Sequence, residues 1–268
     1  MNDFINAIIL GIVEGFTEFL PISSTGHLIL VNNFIGFTGS FALMFDVVIQ
    51  LGAILAVVIY FRKRLLPFGV SKPADERAAT WTIWRKSLVG AIPALVIGGT
   101  LGNFVEGKLF NPYVVSVALL SGGIILLWIE QNPRVSKIDT ISELSFKTAF
   151  FIGLIQCLAM IPGTSRSAAT IIGAMLLGSS RTFAVEFSFF LAIPTIIAAS
   201  GYSIIKSGLH LNSREILLTG TGFIVSFLVA WIVIAAFIRY ISRRNFKPFG
   251  YYRIVLGSVV LIYYLLLH

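Results

Sequence analysis

The sequence predicts an all-α polytopic membrane protein, with six transmembrane helices and two re-entrant helical hairpins arranged as an inverted-topology repeat. Three observations support this fold class. Of the 268 residues, 57% are hydrophobic and only 12% are charged, whereas a soluble domain carries about 25% charged residues. Several long runs contain no charge, and two polar segments rich in Pro, Ser and Gly interrupt otherwise apolar sequence. A soluble fold has no way to bury so many apolar runs.

Four uncharged runs define the clearest membrane spans. Each is 19 to 23 residues long, and a helix needs roughly 20 residues to cross the apolar core of a bilayer. Two further spans are predicted although they contain polar residues. The six predicted spans are Leu43–Phe61, Ser87–Val105, Leu109–Ile129, Phe187–Ile205, Ile216–Ile238 and Phe249–Leu267.

Two other apolar stretches are each broken near the middle by a polar segment. PISSTGH interrupts Phe4–Phe37, and PGTSRS interrupts Lys147–Gly178. The arms on either side are short for a full span. Irregular backbone at membrane depth is tolerated only where it is buried in protein or faces a wet cavity. Each stretch is therefore predicted to form a re-entrant hairpin with its polar segment buried.

The two broken stretches resemble each other in sequence. GIVEGFTEFLPISST aligns with GLIQCLAMIPGTSRS and places Ser24 on Ser165. Further along the chain, FDVVIQLGAIL aligns with VEFSFFLAIPT and places Asp46 on Glu186. Three predicted spans separate the two hairpins, so the second copy has the opposite orientation in the membrane. Inverted repeats of this kind bring broken helices together near the bilayer midplane.

These features predict one membrane domain made of two inverted repeats, at about residues 1–130 and 131–268. Sixteen of the 20 Lys and Arg residues fall on one side of the predicted topology and three on the other. The positive-inside rule makes the first side cytoplasmic, so both termini and the mouth of the first hairpin face outward. These loops account for the net charge of +8, and no nucleic-acid partner is expected. The sequence permits a homodimer without fixing the oligomeric state.

The first hairpin carries two carboxylates. Glu14 and Glu18 are four residues apart and share one face of a helix. Two carboxylates this close repel each other unless a proton or a cation lies between them. Mg²⁺ and Ca²⁺ prefer oxygen ligands and often bridge to phosphate, so Glu14 and Glu18 are predicted to bind one of these cations. An acidic residue inside a membrane segment is a functional candidate by default.

Hydroxyl groups and a histidine follow the two carboxylates. Ser23, Ser24 and Thr25 are candidates for contacts with an anion, and His27 is the histidine inside the apolar sequence. A serine nucleophile needs an adjacent base, and His27 is close to Ser24 along the chain. Three mechanisms stay open from the sequence: Ser24 attacks with His27 as its base, His27 itself attacks, or His27 activates water. The alternative for His27 is a buried, hydrogen-bonded structural histidine.

The second hairpin carries the groups expected to bind an anion. Arg166 offers a planar fork of donors that matches phosphate or carboxylate, and Ser165, Ser167 and Thr170 supply hydroxyls. Ser167 is predicted to cap the second arm, whose positive helix end favours an anion. The alternative is a plain helix cap combined with an Arg–Glu ion pair. The flexible Gly163 lets the backbone turn beside these groups.

Three further polar residues are predicted to support the site. Asp46 and Gln50 lie on one face of the next span, and Glu186 occupies the matching place in the second copy. They are expected either to line the cavity or to pair with Arg166. Together the two hairpins combine an anion-binding end with an acid/base or cation-binding end, which suits phosphate chemistry on a lipid substrate.

The alternative function is a transporter or flippase of polyprenyl phosphate or another anion, since such proteins share inverted repeats, broken helices and midplane anion sites. A carrier needs the arginine and the helix ends. It does not need a pair of glutamates with serine and histidine beside them. The single Cys157 excludes an intrachain disulfide.

The sequence resembles the undecaprenyl-diphosphate phosphatases, also called bacitracin-resistance proteins, over nearly the whole chain. GIVEGFTEFLPISSTGHLIL is similar to the acidic motif of that family and the Ser/His segment after it. PGTSRSAAT resembles its second signature, and EFSFFLAIP also matches.

The resemblance implies a multi-pass enzyme of the bacterial inner membrane that depends on a divalent cation and opens toward the outer, periplasmic face. It would remove the terminal phosphate of undecaprenyl diphosphate and so recycle the lipid carrier for peptidoglycan synthesis. By motif match, the acidic pair, the histidine and the first serine of the family fall on Glu14, Glu18, His27 and Ser24. The arginine that grips phosphate and its flanking hydroxyls fall on Arg166, Ser165, Ser167 and Thr170.

Overall fold

A computed structural model describes residues 3–68, 72–132, 135–207 and 211–267. These residues form helices and no strand beyond an isolated bridge between Ile138 and Ser179. A 3₁₀ turn, Cys157–Met160, follows α7. The helices are α1 (Asp3–Thr17), α2 (Ser24–Ile35), α3 (Ser40–Tyr60), α4 (Arg62–Leu65), α5 (Ala74–Leu109), α6 (Pro112–Gln131), α7 (Phe146–Gln156), α8 (Arg166–Leu176), α9 (Arg181–Ser207), α10 (Ser213–Ile241) and α11 (Lys247–Leu267).

Five of these helices, α3, α6, α9, α10 and α11, are long and apolar enough to cross a membrane, and each overlaps a predicted span. The remaining predicted span, Ser87–Val105, lies inside α5, which begins more than three turns earlier. Large apolar side chains on α10 face outward: Ile224, Leu228 and Ile232 are 58%, 49% and 71% exposed. An apolar outer surface of this kind is suited to lipid, so the chain is a helical membrane protein.

The two predicted polar breaks are present. The first separates α1 from α2, and the second separates the 3₁₀ turn from α8. Each ends in a serine with a positive φ, Ser23 at 74° and Ser165 at 72°, and these are the two non-glycine residues with positive φ in the described chain. In the structure Ser23 and Ser165 therefore occupy equivalent N-cap positions. The sequence alignment, which matched Ser24 with Ser165, is shifted from this correspondence by one residue.

The N-cap of α8 differs from the prediction. The Ser165 hydroxyl accepts a hydrogen bond from the Ala168 amide at 3.2 Å, so Ser165 caps the helix and the prediction of Ser167 was wrong. The positive φ of Ser165 turns the chain immediately before the helix, which leaves Ser167 inside the first turn. In the same break Gly163 has φ 91°, and a Cβ there would lie 2.5 Å from the Val115 carbonyl oxygen.

The first arm of each broken stretch packs against a long helix from the other half of the chain. α1 packs against α10, which also contacts α3, while α7 packs against α5, which also contacts α9. α6 and α11 pack against each other, as do α3 and α9. Glycines allow α1 to approach α10 closely, and α7 to approach α5. A Cβ at Gly15 of α1 would lie 2.5 Å from the Ser226 carbonyl oxygen of α10. A Cβ at Gly153 of α7 would collide with the Gly90 backbone of α5.

Ion pairs tie the helix ends together. At one end, Asp3 pairs with Arg214 at 2.7 Å and joins the start of α1 to the start of α10. At the other end, Arg64 after α3 pairs with Glu186 on α9 at 2.8 Å. We call this second end, where α3, α6 and α10 finish and α9 and α11 begin, the basic end.

The close contact between α5 and α7 generates a first prediction. Gly153→Ala should lower the free energy of unfolding by about 1–3 kcal/mol, because the added methyl group overpacks the contact with the Gly90 backbone. Thermal unfolding of the purified protein in detergent measures the effect. Gly99→Ala on α5 is the matched control, because a Cβ there meets nothing within 4 Å. Equal melting temperatures for the two variants would contradict the prediction.

Candidate active site

The two polar breaks meet inside the bundle. The Arg166 guanidinium donates from Nη2 to Glu18 Oε1 at 3.1 Å, and the two side chains are only 11% and 3% exposed. Beside this ion pair, the Ser167 hydroxyl donates to the Leu20 carbonyl at 2.8 Å. A carboxylate from the first break therefore contacts the guanidinium from the second, and this contact is an Arg–Glu ion pair of the kind that the sequence allows as the alternative role of Arg166.

Ser24 is linked to the same carboxylate. Its hydroxyl donates to Glu18 Oε2 at 2.5 Å, while Arg166 contacts the other oxygen of Glu18. The sequence suggested His27 as the base for Ser24, but the group that accepts the Ser24 hydrogen bond is Glu18. The structure thus forms a continuous chain from the Ser24 hydroxyl through the Glu18 carboxylate to the Arg166 guanidinium.

His27 makes two hydrogen bonds that fix the orientation of its ring. Nδ1 lies 2.7 Å from the Ser23 carbonyl oxygen, and since a carbonyl only accepts, Nδ1 carries the proton. Nε2 lies 2.6 Å from the Tyr252 hydroxyl and shares a hydrogen bond with it, and the two rings stack at 5.7 Å. His27 therefore holds the strained cap Ser23 directly before Ser24. Sequence reasoning missed Tyr252, which carries no signal beyond being a tyrosine in an apolar run.

Glu14 and Arg166 keep polar atoms without partners. Glu14 is fully buried, and neither of its carboxylate oxygens has a hydrogen-bond partner in the described chain. Arg166 uses Nη1 for the Ser188 carbonyl at 2.9 Å and Nη2 for Glu18, while its buried Nε is unpartnered. Unsatisfied buried groups are expensive, so these atoms are the ones in the site that are available to a ligand.

The donor set fits the divalent cation that the sequence predicted. Mg²⁺ and Ca²⁺ bind carboxylate oxygens, and Mg²⁺ is commonly held by one or two carboxylates together with phosphate oxygens. Glu14 has both oxygens available beside Glu18. Within the described residues no group of three His, Cys, Asp or Glu could hold a metal ion by itself. The residues therefore suit a cation whose coordination is completed by a phosphate ligand.

Two helix N-termini converge on this region, because α2 begins at Ser24 and α8 begins at Arg166. The first N–H groups of a helix lack partners within the helix and carry partial positive charge, so two such ends favour an anion. The Ser23 and Ser165 hydroxyls cap the two helices. Thr25 is exposed on the first turn of α2.

The remaining predicted hydroxyls bond within the protein. Ser165 and Ser167 lie 3.0 Å apart, and Ser167 is also bonded to Leu20. The buried Thr170 hydroxyl lies 2.6 Å from the Ser188 hydroxyl and donates to the Arg166 carbonyl at 2.9 Å. Ser167 and Thr170 therefore hold the start of α8 in place, and Ser165 is the more accessible hydroxyl.

The supporting residues lie apart from Arg166. Glu186 pairs with Arg64 at the basic end, so of its two expected roles the pairing with Arg166 is not found, because Arg166 is bound by Glu18. Asp46 accepts from the Asn32 amide at 2.8 Å and ties α2 to α3. Gln50 is half-buried one turn further along α3.

Sequence reasoning missed Arg253. It lies near the start of the predicted span Phe249–Leu267 and was included in the charge count of the cytoplasmic side, with no role in the site, but the structure buries it completely. Its guanidinium donates to Pro21 and Gly163, one carbonyl from each break, at 3.2 and 3.1 Å, and to Leu119 and Ala118 of α6 at 3.3 and 2.9 Å. The available signal was an arginine inside an apolar run, which is costly unless it has internal partners.

The fold and the site define a class: a polytopic helical membrane protein with a buried, oxygen-rich site where two helix breaks meet. Comparison with known proteins specifies the family. Residues 7–259 match the family model described as bacitracin resistance protein BacA. The chain therefore belongs to the bacitracin resistance protein family.

Relatives match over almost their whole length. The chain is 48% identical to undecaprenyl-diphosphatase 1 of Clostridioides difficile strain 630, with 99% of this chain and 97% of the relative covered. It is also 48% identical to the undecaprenyl-diphosphatase of Limosilactobacillus fermentum, covering 100% and 99%. The undecaprenyl-diphosphatase of Acidovorax ebreus is 44% identical, with 96% and 94% covered.

Arg253 generates the second prediction. Arg253→Met should lower the free energy of unfolding by about 3 kcal/mol or more, because it leaves buried carbonyls of both breaks without a donor. Thermal unfolding in detergent measures the change. Arg214→Met is the matched control: it removes an ion pair whose side chains are 67% and 42% exposed, and such a pair contributes about 1 kcal/mol or less. A melting temperature of Arg253→Met equal to that of the control would contradict the role of Arg253.

Proposed function

We propose that this protein hydrolyses undecaprenyl diphosphate to undecaprenyl phosphate and inorganic phosphate, which recycles the lipid carrier for cell-wall synthesis. The observation that carries the proposal is the chain of contacts Ser24–Glu18–Arg166, which joins a nucleophile, a base and a phosphate-binding group across two helix breaks. The printed names of relatives that match over nearly the full length support the substrate.

Substrate binding would use the groups that lack partners. The diphosphate would bind the Arg166 guanidinium, whose Nε is free, with the Ser165 hydroxyl and the N-termini of α2 and α8 beside it. The Glu18–Arg166 ion pair would loosen as phosphate oxygens replace the carboxylate at the guanidinium. That exchange leaves Glu18 free to act as a base.

Ser24 would then attack the terminal phosphorus. A bond forms between Ser24 Oγ and phosphorus, the bond from phosphorus to the bridging oxygen breaks, and the hydroxyl proton passes to Glu18. Undecaprenyl phosphate leaves with its bridging oxygen. Water next cleaves the phosphoserine, Glu18 returns its proton to Ser24 Oγ, and inorganic phosphate is released. His27 would keep Ser23 and Ser24 in position through the Ser23 carbonyl.

A divalent cation, Mg²⁺ or Ca²⁺, held by Glu14 and shared with Glu18, would offset the negative charge of the diphosphate when bound. The two unpartnered oxygens of Glu14 favour it as the principal ligand, since both oxygens of Glu18 already have partners. The role of Glu14 in this proposal is to hold the cation rather than to move a proton.

We further propose six spans, with α5 as the sixth, and two re-entrant hairpins in two inverted repeats at about 1–130 and 131–268. The contact pattern supports this arrangement. In the two repeats α1 corresponds to α7, α3 to α9 and α10 to α5. The packing of α1 on α10 then matches that of α7 on α5, and the packing of α3 on α10 matches that of α9 on α5. The basic end would face the cytoplasm of a bacterial inner membrane, with the termini and the opening of the site on the periplasmic side.

The third prediction tests the nucleophile and the base. Ser24→Ala and Glu18→Gln should each lower kcat for phosphate release by about 10³-fold, because each removes a group that takes part in the transition state. Glu215→Gln is the control, because this carboxylate caps α10 at an exposed position. Acid quench of wild type with labelled substrate should trap phosphate on Ser24. Phosphate on His27, or net inversion at phosphorus, would contradict the assignment.

The same assay separates the enzyme from a carrier. Purified wild type in detergent, where there are no two sides to transport between, should release inorganic phosphate from undecaprenyl diphosphate, and Arg166→Ala should not. A transporter or flippase without phosphatase activity would release none in either case.

The fourth prediction concerns the cation. Chelation with EDTA should abolish phosphate release, and Mg²⁺ or Ca²⁺ should restore it. Glu14→Gln should raise the cation concentration needed for half-maximal activity roughly tenfold, since it removes one charged ligand. Glu215→Gln is again the control, because this carboxylate caps α10 at an exposed position. An unchanged cation requirement in Glu14→Gln would exclude Glu14 as the ligand.

A further inference from the structure

A second polar cavity lies at the basic end of the bundle, away from the two helix breaks. It has a volume of about 600 Å³ and lies between the end of α6, the end of α8, the start of α9 and the turn from α10 to α11. Three of the helices that form it, α6, α9 and α10, are membrane spans that end or begin there. The cavity therefore lies at the depth where lipid headgroups meet the protein.

The wall of the cavity is held in shape by a buried carboxylate. Glu130, whose side chain is 1% exposed, accepts from Arg181 at 2.6 and 2.9 Å and from the Phe246 amide at 3.0 Å. It thus clamps α6, α9 and the start of α11 together. Because Glu130 is fully engaged, it neutralises Arg181 and no other cation.

Two arginines of the cavity have no such partner. Arg243 and Arg244 line it from the turn after α10, both are exposed, and no side-chain hydrogen bond or ion pair is found for either in the described residues. The described residues that line the cavity include no Asp or Glu. The cavity therefore carries two positive charges, those of Arg243 and Arg244, without an acidic side chain in its lining. Both arginines also line an adjoining surface depression, together with Arg239.

The opposite wall combines a polar edge with an apolar surface. Ser179 and Ser180 lie there, immediately before α9, and the Ser180 hydroxyl accepts from the Phe183 amide. The Ser179 hydroxyl is buried without a partner. Trp128 and Met175 are among the apolar lining residues. A ligand that fits both surfaces has an anionic head and an apolar body.

We propose that this cavity binds the phosphate group of a membrane lipid. Arginine guanidinium groups match phosphate oxygens in geometry and charge, and basic pockets at headgroup depth between membrane helices attract anionic lipids. The proposal does not depend on the phosphatase chemistry, because α8 separates the cavity from Arg166 by its 11 residues, or about 16 Å of helix.

Native mass spectrometry of the whole protein with dioleoyl phosphatidic acid tests the site. The measured quantity is the fraction of protein molecules that still carry the added lipid that dissociates last. The double variant Arg243→Gln/Arg244→Gln should lower this fraction at least tenfold, since two charge-assisted contacts are lost. Arg62→Gln/Lys63→Gln is the matched control, because it removes the same charge at the same end of the bundle but outside the cavity. Dioleoyl phosphatidylcholine should show little retention in any variant.

Three results would overturn the proposal. Equal lipid loss in both double variants would mean that binding reflects only the general charge of the basic end. Unchanged retention in Arg243→Gln/Arg244→Gln would exclude the cavity. Displacement of the lipid by millimolar inorganic phosphate would assign the site to free phosphate instead of a lipid. An unchanged melting temperature of the cavity variant shows that it is folded.

Discussion

A chain that breaks its helices in the interior of a helical bundle must satisfy the freed backbone groups from within the protein, and the rest of this structure depends on how that is done. Arg253 donates to a carbonyl of each break, and Ser167 carries a second link from the start of α8 to Leu20. In hydrocarbon, unsatisfied carbonyls cost several kcal/mol each. The two breaks are therefore stable only together, and this mutual dependence brings Glu18 and Arg166 into contact.

The same geometry determines the electrostatics of the site. Glu14 and Glu18 are both buried, and Arg166 is the cation that contacts one of them. Glu14 is left with unpartnered oxygens, and Arg166 with an unpartnered Nε. A diphosphate with a divalent cation would satisfy both groups at once, because each brings the charge that the protein lacks there. The cavity at the basic end differs in kind, since the arginines that lack an acidic partner there carry charge of one sign only.

Much of the site was predictable because the bilayer makes polar residues conspicuous. A charged or hydrogen-bonding side chain in an apolar run is costly unless it has a partner or a function. This cost made four residues candidates from the sequence: Glu18, Ser24, His27 and Arg166. The partners were less predictable. Ser24 donates to Glu18 and not to His27, and both ring nitrogens of His27 bond elsewhere, to the Ser23 carbonyl and the Tyr252 hydroxyl. Arg253 was given no role in the site because its acceptors are backbone carbonyls, which leave no trace in a sequence.

The sequence by itself determined the membrane class, the positions of the two breaks and the types of side chain placed in them, because apolar run length and the cost of buried charge are local properties of the chain. Only the tertiary structure decided which groups meet: Glu18 with Arg166, Glu186 with Arg64, and Arg253 with both breaks. These pairings depend on how α1 packs on α10 and α7 on α5. Partners that lie 90 to 232 residues apart in the chain are chosen by that packing and not by their spacing along the chain.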